Sequence, residues 1–312
     1  MASEQNLLTR VAYQYYILGQ TQQEIAETLN LGRSTISRLL TRARQEGIIS
    51  IKIAGADTEL LALEAQLKER FGLRNVDLIS TTTDMSEQDK ETALAHESAR
   101  YLKQIIRPND HVGIAWGSIL AKMVGQLDHP KTTNAIFVPL VGGPSAANAE
   151  YHVNTIVYDL ARQFGGTSVY INAAAVQESR YLRDGIMHAR YFQELANAWQ
   201  HLDIAFVGVG GPLAKATNSH WRDLLTEADI MLLKEQKAIG DCCCTFFDQH
   251  GKLLAPSLRQ RTIAIALSQL QKVPISVAVA RSQNKVPSLK ALLSMAIVNT
   301  LITDEETARA LF

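Results

Sequence analysis

Hydrophobic positions recur along this chain with two different periods, and the change from one to the other divides it. Up to residue 71 the apolar residues fall mostly at helical spacing. Leu8, Val11, Ala12 and Tyr15 mark a first helix ending near Gly19, with Tyr13 and Tyr16 as neighbouring packing residues. Ile25, Ala26 and Leu29 give a second helix its buried face, and Ile36, Leu39 and Leu40 a third, with Leu31 packed under the turn between them. Thr21 and Glu24 have capping-box spacing, so the second helix starts there. Asn30 stops it, because Asn tolerates the left-handed conformation that such a turn requires. After Gly47, residues 48–53 (IISIKI) alternate with period two and predict a short strand or wing. Leu60, Leu63, Leu67 and Phe71 then recur through residues 57–71. That helix either lies on its own domain or pairs with a second copy. The stripe is narrow for a domain core, which favours pairing.

From residue 72 onward, short apolar runs alternate with helical stretches. The runs are 75–79, 112–115, 135–141, 168–171, 204–209, 242–247, 275–280 and 300–302; helices are expected over 87–106, 188–199 and 288–297. Strand, loop and helix repeated in this way imply a largely parallel, Rossmann-like doubly wound sheet with helices on both faces. The expected organisation is a winged helix-turn-helix over 1–56 and an α/β effector domain over 57–312.

Charge matters locally rather than globally. The 31 basic and 31 acidic residues cancel, so attraction to nucleic acid must come from a local surface. The third helix supplies one: Arg33, Arg38, Arg42 and Arg44 face a single acid, Glu46. Its outer side offers Arg33, Ser34, Thr35, Ser37, Arg38 and Arg42. Arg bonds a guanine edge bidentately, and short hydroxyls reach bases or phosphates. Thr21, Gln22 and, on the wing, Lys52 complete the candidate DNA-contacting set; an ordinary solvated helical hairpin is the bland alternative. Cys242, Cys243 and Cys244 are consecutive, which suits neither a spaced zinc site nor a disulfide framework and predicts a buried strand in a reducing compartment. No run of about 18 apolar residues and no apolar signal core is present, so a cytoplasmic protein with no membrane partner is expected.

Three glycine-rich segments follow predicted strands: Trp116-Gly117-Ser118, Gly142-Gly143-Pro144-Ser145 and Gly208-Val209-Gly210-Gly211-Pro212. Each alone is a plain turn. Together, at strand ends in one domain, they favour a small polar ligand. The third is no dinucleotide fingerprint, since it lacks G-x-G-x-x-G spacing and runs into Pro212. G-x-S-x-G, H-E-x-x-H and P-loop motifs are also missing.

TQQEIAETLNLGRSTISRLL, QEGIISIKI and LEAQLKERFGL, followed by GIAWGSIL, VPLVGGPS, YHVNT, FVGVGGP, GDCCCTFFDQHG and VNTLITDEETARALF, resemble the SorC family of sugar-responsive bacterial regulators over nearly the whole chain. The resemblance implies an effector domain related in fold to sugar-phosphate isomerases. It also implies dimers or tetramers on palindromic operator DNA, regulated, as a repressor is, by a sugar or sugar phosphate. Carried over by motif, the effector-binding residues are Trp116, Gly117, Ser118, Gly142, Gly143, Pro144, Gly208, Gly210, Asp241 and Lys285. Asp241 would accept hydrogen bonds from sugar hydroxyls; Lys285 would meet a phosphate or is a solvated helix-start Lys. Where the family often has Ala-Gly-Gly, this chain has Ala280-Arg281-Ser282, and Arg281 either adds a phosphate contact or closes the site to phosphate. No cofactor, metal or catalytic residue is expected. Two alternatives remain: a bifunctional isomerase-like enzyme using Asp241, His152, His188 or Lys285, and a sigma-like factor, which the large α/β half opposes.

Overall fold

The computed structural model describes residues 2–49, 57–82, 84–128, 130–144, 151–213 and 224–312. They divide into two compact units, Met1–Thr58 and Glu59–Phe312, with separate apolar clusters. In the first unit, α1 (Ala2–Tyr16), α2 (Gln22–Leu29) and α3 (Arg33–Gln45) close around Val11, Ile25, Ala26, Ile36 and Leu40. The capping box forms: the Glu24 N–H donates to Thr21 Oγ1 at 3.3 Å and the Thr21 N–H to Glu24 Oε2 at 2.7 Å. Asn30 adopts φ 51°, the left-handed cap expected of it. Tyr15 and Tyr16 pack against the core, but Tyr13 points outward and is 53% exposed. The wing expected over 48–53, with Lys52, lies outside the described residues from position 50 onward.

The second unit carries nine strands among the described residues: β1 (Asn75–Ile79), β2 (His111–Ile114), β3 (Ile136–Pro139), β4 (Thr167–Ser168), β5 (Ile204–Gly208), β6 (Gly240–Cys242), β7 (Thr245–Phe247), β8 (Ile275–Val279) and β9 (Thr300–Asp304). Its helices are α4 (Thr58–Phe71), α5 (Glu87–Ile105), α6 (Ser118–Gly125), α7 (Val153–Phe164), α8 (Arg180–His188), α9 (Phe192–Gln200), α10 (Glu227–Glu235), α11 (Pro256–Arg259), α12 (Leu267–Leu270), α13 (Val286–Ser294) and α14 (Glu305–Ala310). Seven strands form one parallel sheet in the order β1-β9-β8-β5-β2-β3-β4. The chain runs from β2 outward through β3 to β4, returns to the other side of β2 at β5, and continues outward through β8 and β9. Parallel crossovers are right-handed as a rule, and a reversal of direction along the sheet then puts helices on both faces. Central strands are accordingly apolar throughout: four of the five residues of β5 are buried.

Two expectations change. Residues 242–247 are not one strand. β6 and β7 form an antiparallel hairpin, with Cys243 and Cys244 at φ 48° and 56° in its two-residue turn. Two positive φ values give that turn the twist of the flanking strands. The Asp241 carboxylate holds it by accepting the Cys244 N–H at 3.0 Å. All three cysteines are buried and free. Nor is the leucine stripe of α4 a seam between copies. Leu63 and Leu67 are buried in the sheet domain's own core, and Leu60 and Phe71 pack on it. The reason lies in β1, which is an edge strand. α4 covers it, and Glu64 Oε1 accepts the Leu78 N–H at 3.0 Å.

Candidate functional site

On the first unit, α3 starts at Gly32 without a side-chain cap, so its first N–H groups face solvent or a ligand. Arg33, Ser34, Ser37, Arg38 and Arg42 are exposed, while Thr35 is half-buried and accepts a long, 3.5 Å bond from Arg38 Nη2. Arg42 is already paired, its Nε 2.5 Å from Glu46 Oε1 one turn on. Thr21 directs its hydroxyl to Glu24 at 2.9 Å. Gln22 is half-buried and borders a cleft of about 320 Å³ with Ser37, Thr41 and Arg44, so the start of α2 and the outer face of α3 meet along one surface. Arg44 Nε donates to Tyr16 Oη at 2.8 Å, with the guanidinium 5.6 Å from the ring centroid. The sequence reading left Thr41 and Arg44 out of the contact set: a neutral Thr carries no charge signal, and the α1 partner of Arg44 is distant in sequence.

On the second unit, the reversal between β2 and β5 creates a crevice at the carboxyl ends of the strands, where ligands bind in open α/β sheets. The ends of β8, β5, β2 and β3, neighbours in that order, and the loops after them hold every effector candidate except Asp241, which lies on β6. Gly117, at φ 143°, precedes α6 without a side-chain cap, so the first turn of α6 presents N–H donors that have no partner within the helix. Trp116 Nε1 donates to the Gly142 carbonyl at 2.8 Å and ties the β2 and β3 loops together. A Cβ on Gly142 would stand 2.6 Å from the Ala174 carbonyl oxygen, and one on Gly143 2.5 Å from His152 Nε2. Pro144 is buried beside them. Gly208 closes β5 with open space where a Cβ would be.

Asp241, Gly210 and Lys285 converge. The Gly210 N–H donates to the Asp241 carbonyl at 2.8 Å, and a Cβ on Gly210 would overlap Asp241 Oδ1. Asp241 is 6% exposed; Oδ2 takes the Cys244 N–H, while buried Oδ1 has no partner among the described residues. Burial pushes its pKa up to about 6, against the opposing pull of the Cys244 bond and the Lys285 charge. Lys285 is half-buried and ends a 3₁₀ turn, Gln283–Lys285. Burial lowers its pKa, opposed by Asp241 and Glu91. A Cβ on Gly211 would lie 3.6 Å from its Cγ. Arg281, by contrast, is engaged internally, with Nε 2.8 Å from Asp304 and Nη1 2.9 Å from Glu87. His152 caps α7 near Gly143, whereas His188 hydrogen-bonds within α8, Nδ1 lying 2.6 Å from the Asp184 carbonyl.

A basic helix-turn-helix and a parallel α/β domain with a polar crevice at its reversal define a ligand-responsive DNA-binding regulator. Comparison with known proteins gives the family. The family described as "Putative sugar-binding domain" matches residues 57–312, and the "Crp-like helix-turn-helix domain" matches residues 6–67. The sorbitol operon regulator of Klebsiella pneumoniae is 31% identical over 98% of this chain and 97% of its own. The full-length structure of that regulator, SorC, aligns with TM-score 0.76 at 32% identity over 98% of each chain. A transcriptional regulator structure from Streptococcus pneumoniae TIGR4 aligns with TM-score 0.78 at 39% identity, covering 82% of this chain and 97% of that one. The deoxyribonucleoside regulator of Bacillus subtilis (strain 168) is 28% identical over 99% of this chain and 97% of its own. The chain belongs to the SorC family of sugar-binding transcriptional regulators. It is a sugar-responsive, DNA-binding regulator and not an enzyme.

Proposed function

We propose that the protein is a cytoplasmic repressor of a carbohydrate-utilisation operon. Residues 1–56 read a palindromic operator as part of a dimer or tetramer, and residues 57–312 bind the sugar or sugar phosphate that releases it. Arg33, Ser34, Thr35, Ser37 and Arg38 meet base edges and nearby phosphates; Thr21, Gln22, Arg42 and Lys52 hold the backbone. The effector lies at the carboxyl ends of β8, β5, β2 and β3 against Trp116, Gly117, Ser118, Gly142, Gly143, Pro144, Gly208, Gly210, Asp241 and Lys285. One observation carries this reading: a buried carboxylate oxygen, Asp241 Oδ1, has no partner among the described residues and sits with Lys285 at the sheet's reversal. Sugar hydroxyls are the donors such an acceptor needs.

Titration of the operator complex with the cognate sugar tests the assignment. Asp241→Ala removes the acceptor and leaves residues 1–56 untouched, so the variant should stay on the operator at sugar concentrations that release wild type. Lys285→Ala should behave likewise only for a phosphorylated effector. Full release of Asp241→Ala at the wild-type sugar concentration would take Asp241 out of the site.

A further inference from the structure

Beside the crevice, at the carboxyl ends of β3 and β4, lies a cavity of about 450 Å³ lined by Gly143, Pro144, His152, Ile171, Asn172 and Leu224. Asn154, also on its wall, is fully used: Nδ2 donates to the Ile171 carbonyl at 2.9 Å and Oδ1 accepts the Ile171 N–H at 3.0 Å. His152 is different. Its Nδ1 caps α7 by accepting the Asn154 N–H at 3.2 Å. A ring nitrogen that accepts is unprotonated, so the proton of the neutral ring sits on Nε2. Burial lowers the pKa of the ring and keeps it in that neutral form. Among the described residues Nε2 has no hydrogen-bond acceptor. It faces Gly143, where a Cβ would come within 2.5 Å. Glycine at 143 lets the ring approach this closely; a side chain there would press on Nε2 and cover it from the cavity.

We propose that His152 is a specificity-determining residue of the effector pocket, donating Nε2–H to a hydroxyl or carbonyl oxygen of an uncharged part of the sugar in the cavity beside Gly143. The proposal rests on the strand-end crevice being the effector site. An uncharged donor suits a hydroxyl or carbonyl, whereas phosphate is met by cations and helix N-termini.

Calorimetry on the full-length protein tests it, with D-ribose, D-fructose, D-glucitol and their terminal phosphates as probes, followed by monodeoxy analogues of whichever binds. His152→Asn keeps a cap acceptor for α7 but cannot place a donor at the Nε2 position. Gly143→Ala puts a methyl group there. Each should weaken the binding probe about tenfold, the loss expected for one neutral hydrogen bond with its partner left unpaired. One monodeoxy analogue, weak for wild type, should bind His152→Asn as well as the parent sugar does. That equality separates recognition from a structural effect, which would weaken all analogues alike. Wild-type affinity in His152→Asn, or equal losses across all analogues in both proteins, overturns the role of His152 alone. Wild type that binds none of the probes overturns the effector reading, and this proposal with it.

Discussion

A buried carboxylate without a full set of partners costs stability whenever it is ionised, and Asp241 is in that position. Its pKa is raised from 3.8 in the unfolded chain to about 6 in the fold. Between those values the native state binds more protons than the unfolded state, so stability falls as pH rises through this window. The penalty is fully present above pH 6. The shift corresponds to about 3 kcal/mol at most. Asp241→Asn keeps an acceptor for the Cys244 N–H and drops the charge. It should unfold at higher denaturant than wild type at pH 8, with the gain vanishing toward pH 4; a gain independent of pH would mean the charge is not the cause. At the DNA surface, Arg38 is exposed at mid-helix and, among the described residues, bound only by the long contact to Thr35. Arg38→Ala should weaken operator binding by about 1–3 kcal/mol and flatten base preference at its position. Unchanged affinity and preference in a gel-shift titration would mean α3 presents another face. The sequence made the basic face legible because Arg33 to Arg42 lie within about three turns of one helix. Asp241 and Lys285 were legible only through family motifs, since no local pattern brings a hairpin and a 3₁₀ turn together. Arg281 shows the converse: on its sequence neighbours it either adds a phosphate contact or closes the site to phosphate, and its partners Asp304 and Glu87 are distant in the chain.

At the scale of elements, what the sequence announced best was the parallel sheet. Strands covered on both faces read as unbroken apolar runs, and β1, β2, β3, β5, β8 and β9 all fall within or beside the predicted runs. The hairpin of β6 and β7 was hidden because Cys243-Cys244 carries none of the Asn-Gly or Gly signals of a tight turn. α8 was hidden for another reason: it fully buries no residue and meets the core through half-buried Ile186 and Met187, too short a stripe to stand out. The narrow stripe of α4 misled, because a helix that covers an edge strand needs only one row of leucines. This makes a distinct prediction. Leu67 is 0% exposed in the domain core, so Leu67→Ala should destabilise the second unit by about 2–5 kcal/mol. Tryptophan fluorescence reports on that unit alone, since Trp116, Trp199 and Trp221 all lie in it. Light scattering of the folded variant should give the same oligomer as wild type. A smaller oligomer with unchanged unfolding would restore α4 as the pairing helix.

For the whole molecule, the DNA-reading helices and the effector crevice belong to different compact units with separate cores. A sugar held in one can alter DNA affinity in the other only by binding two states of the protein unequally. α4 bears on how this happens. The chain leaves the first unit at residue 58 and enters at once a helix whose leucines are part of the effector core. A rearrangement of that core on ligand binding therefore acts on the segment that leads to the DNA-reading unit. Coupling of this kind is typically 1–3 kcal/mol, a change of about 5- to 150-fold in affinity. Linkage makes it reciprocal: whatever factor the sugar takes from operator affinity, the operator must take from sugar affinity. Calorimetric titration of the cognate sugar into free protein and into the operator complex should give dissociation constants that differ by that factor, with the weaker binding in the complex. The same factor should appear when operator is titrated with and without saturating sugar. Equal sugar affinity in the two titrations would mean that the ligand in the crevice is bound without controlling the DNA, and would remove the repressor reading while leaving the crevice as a binding site.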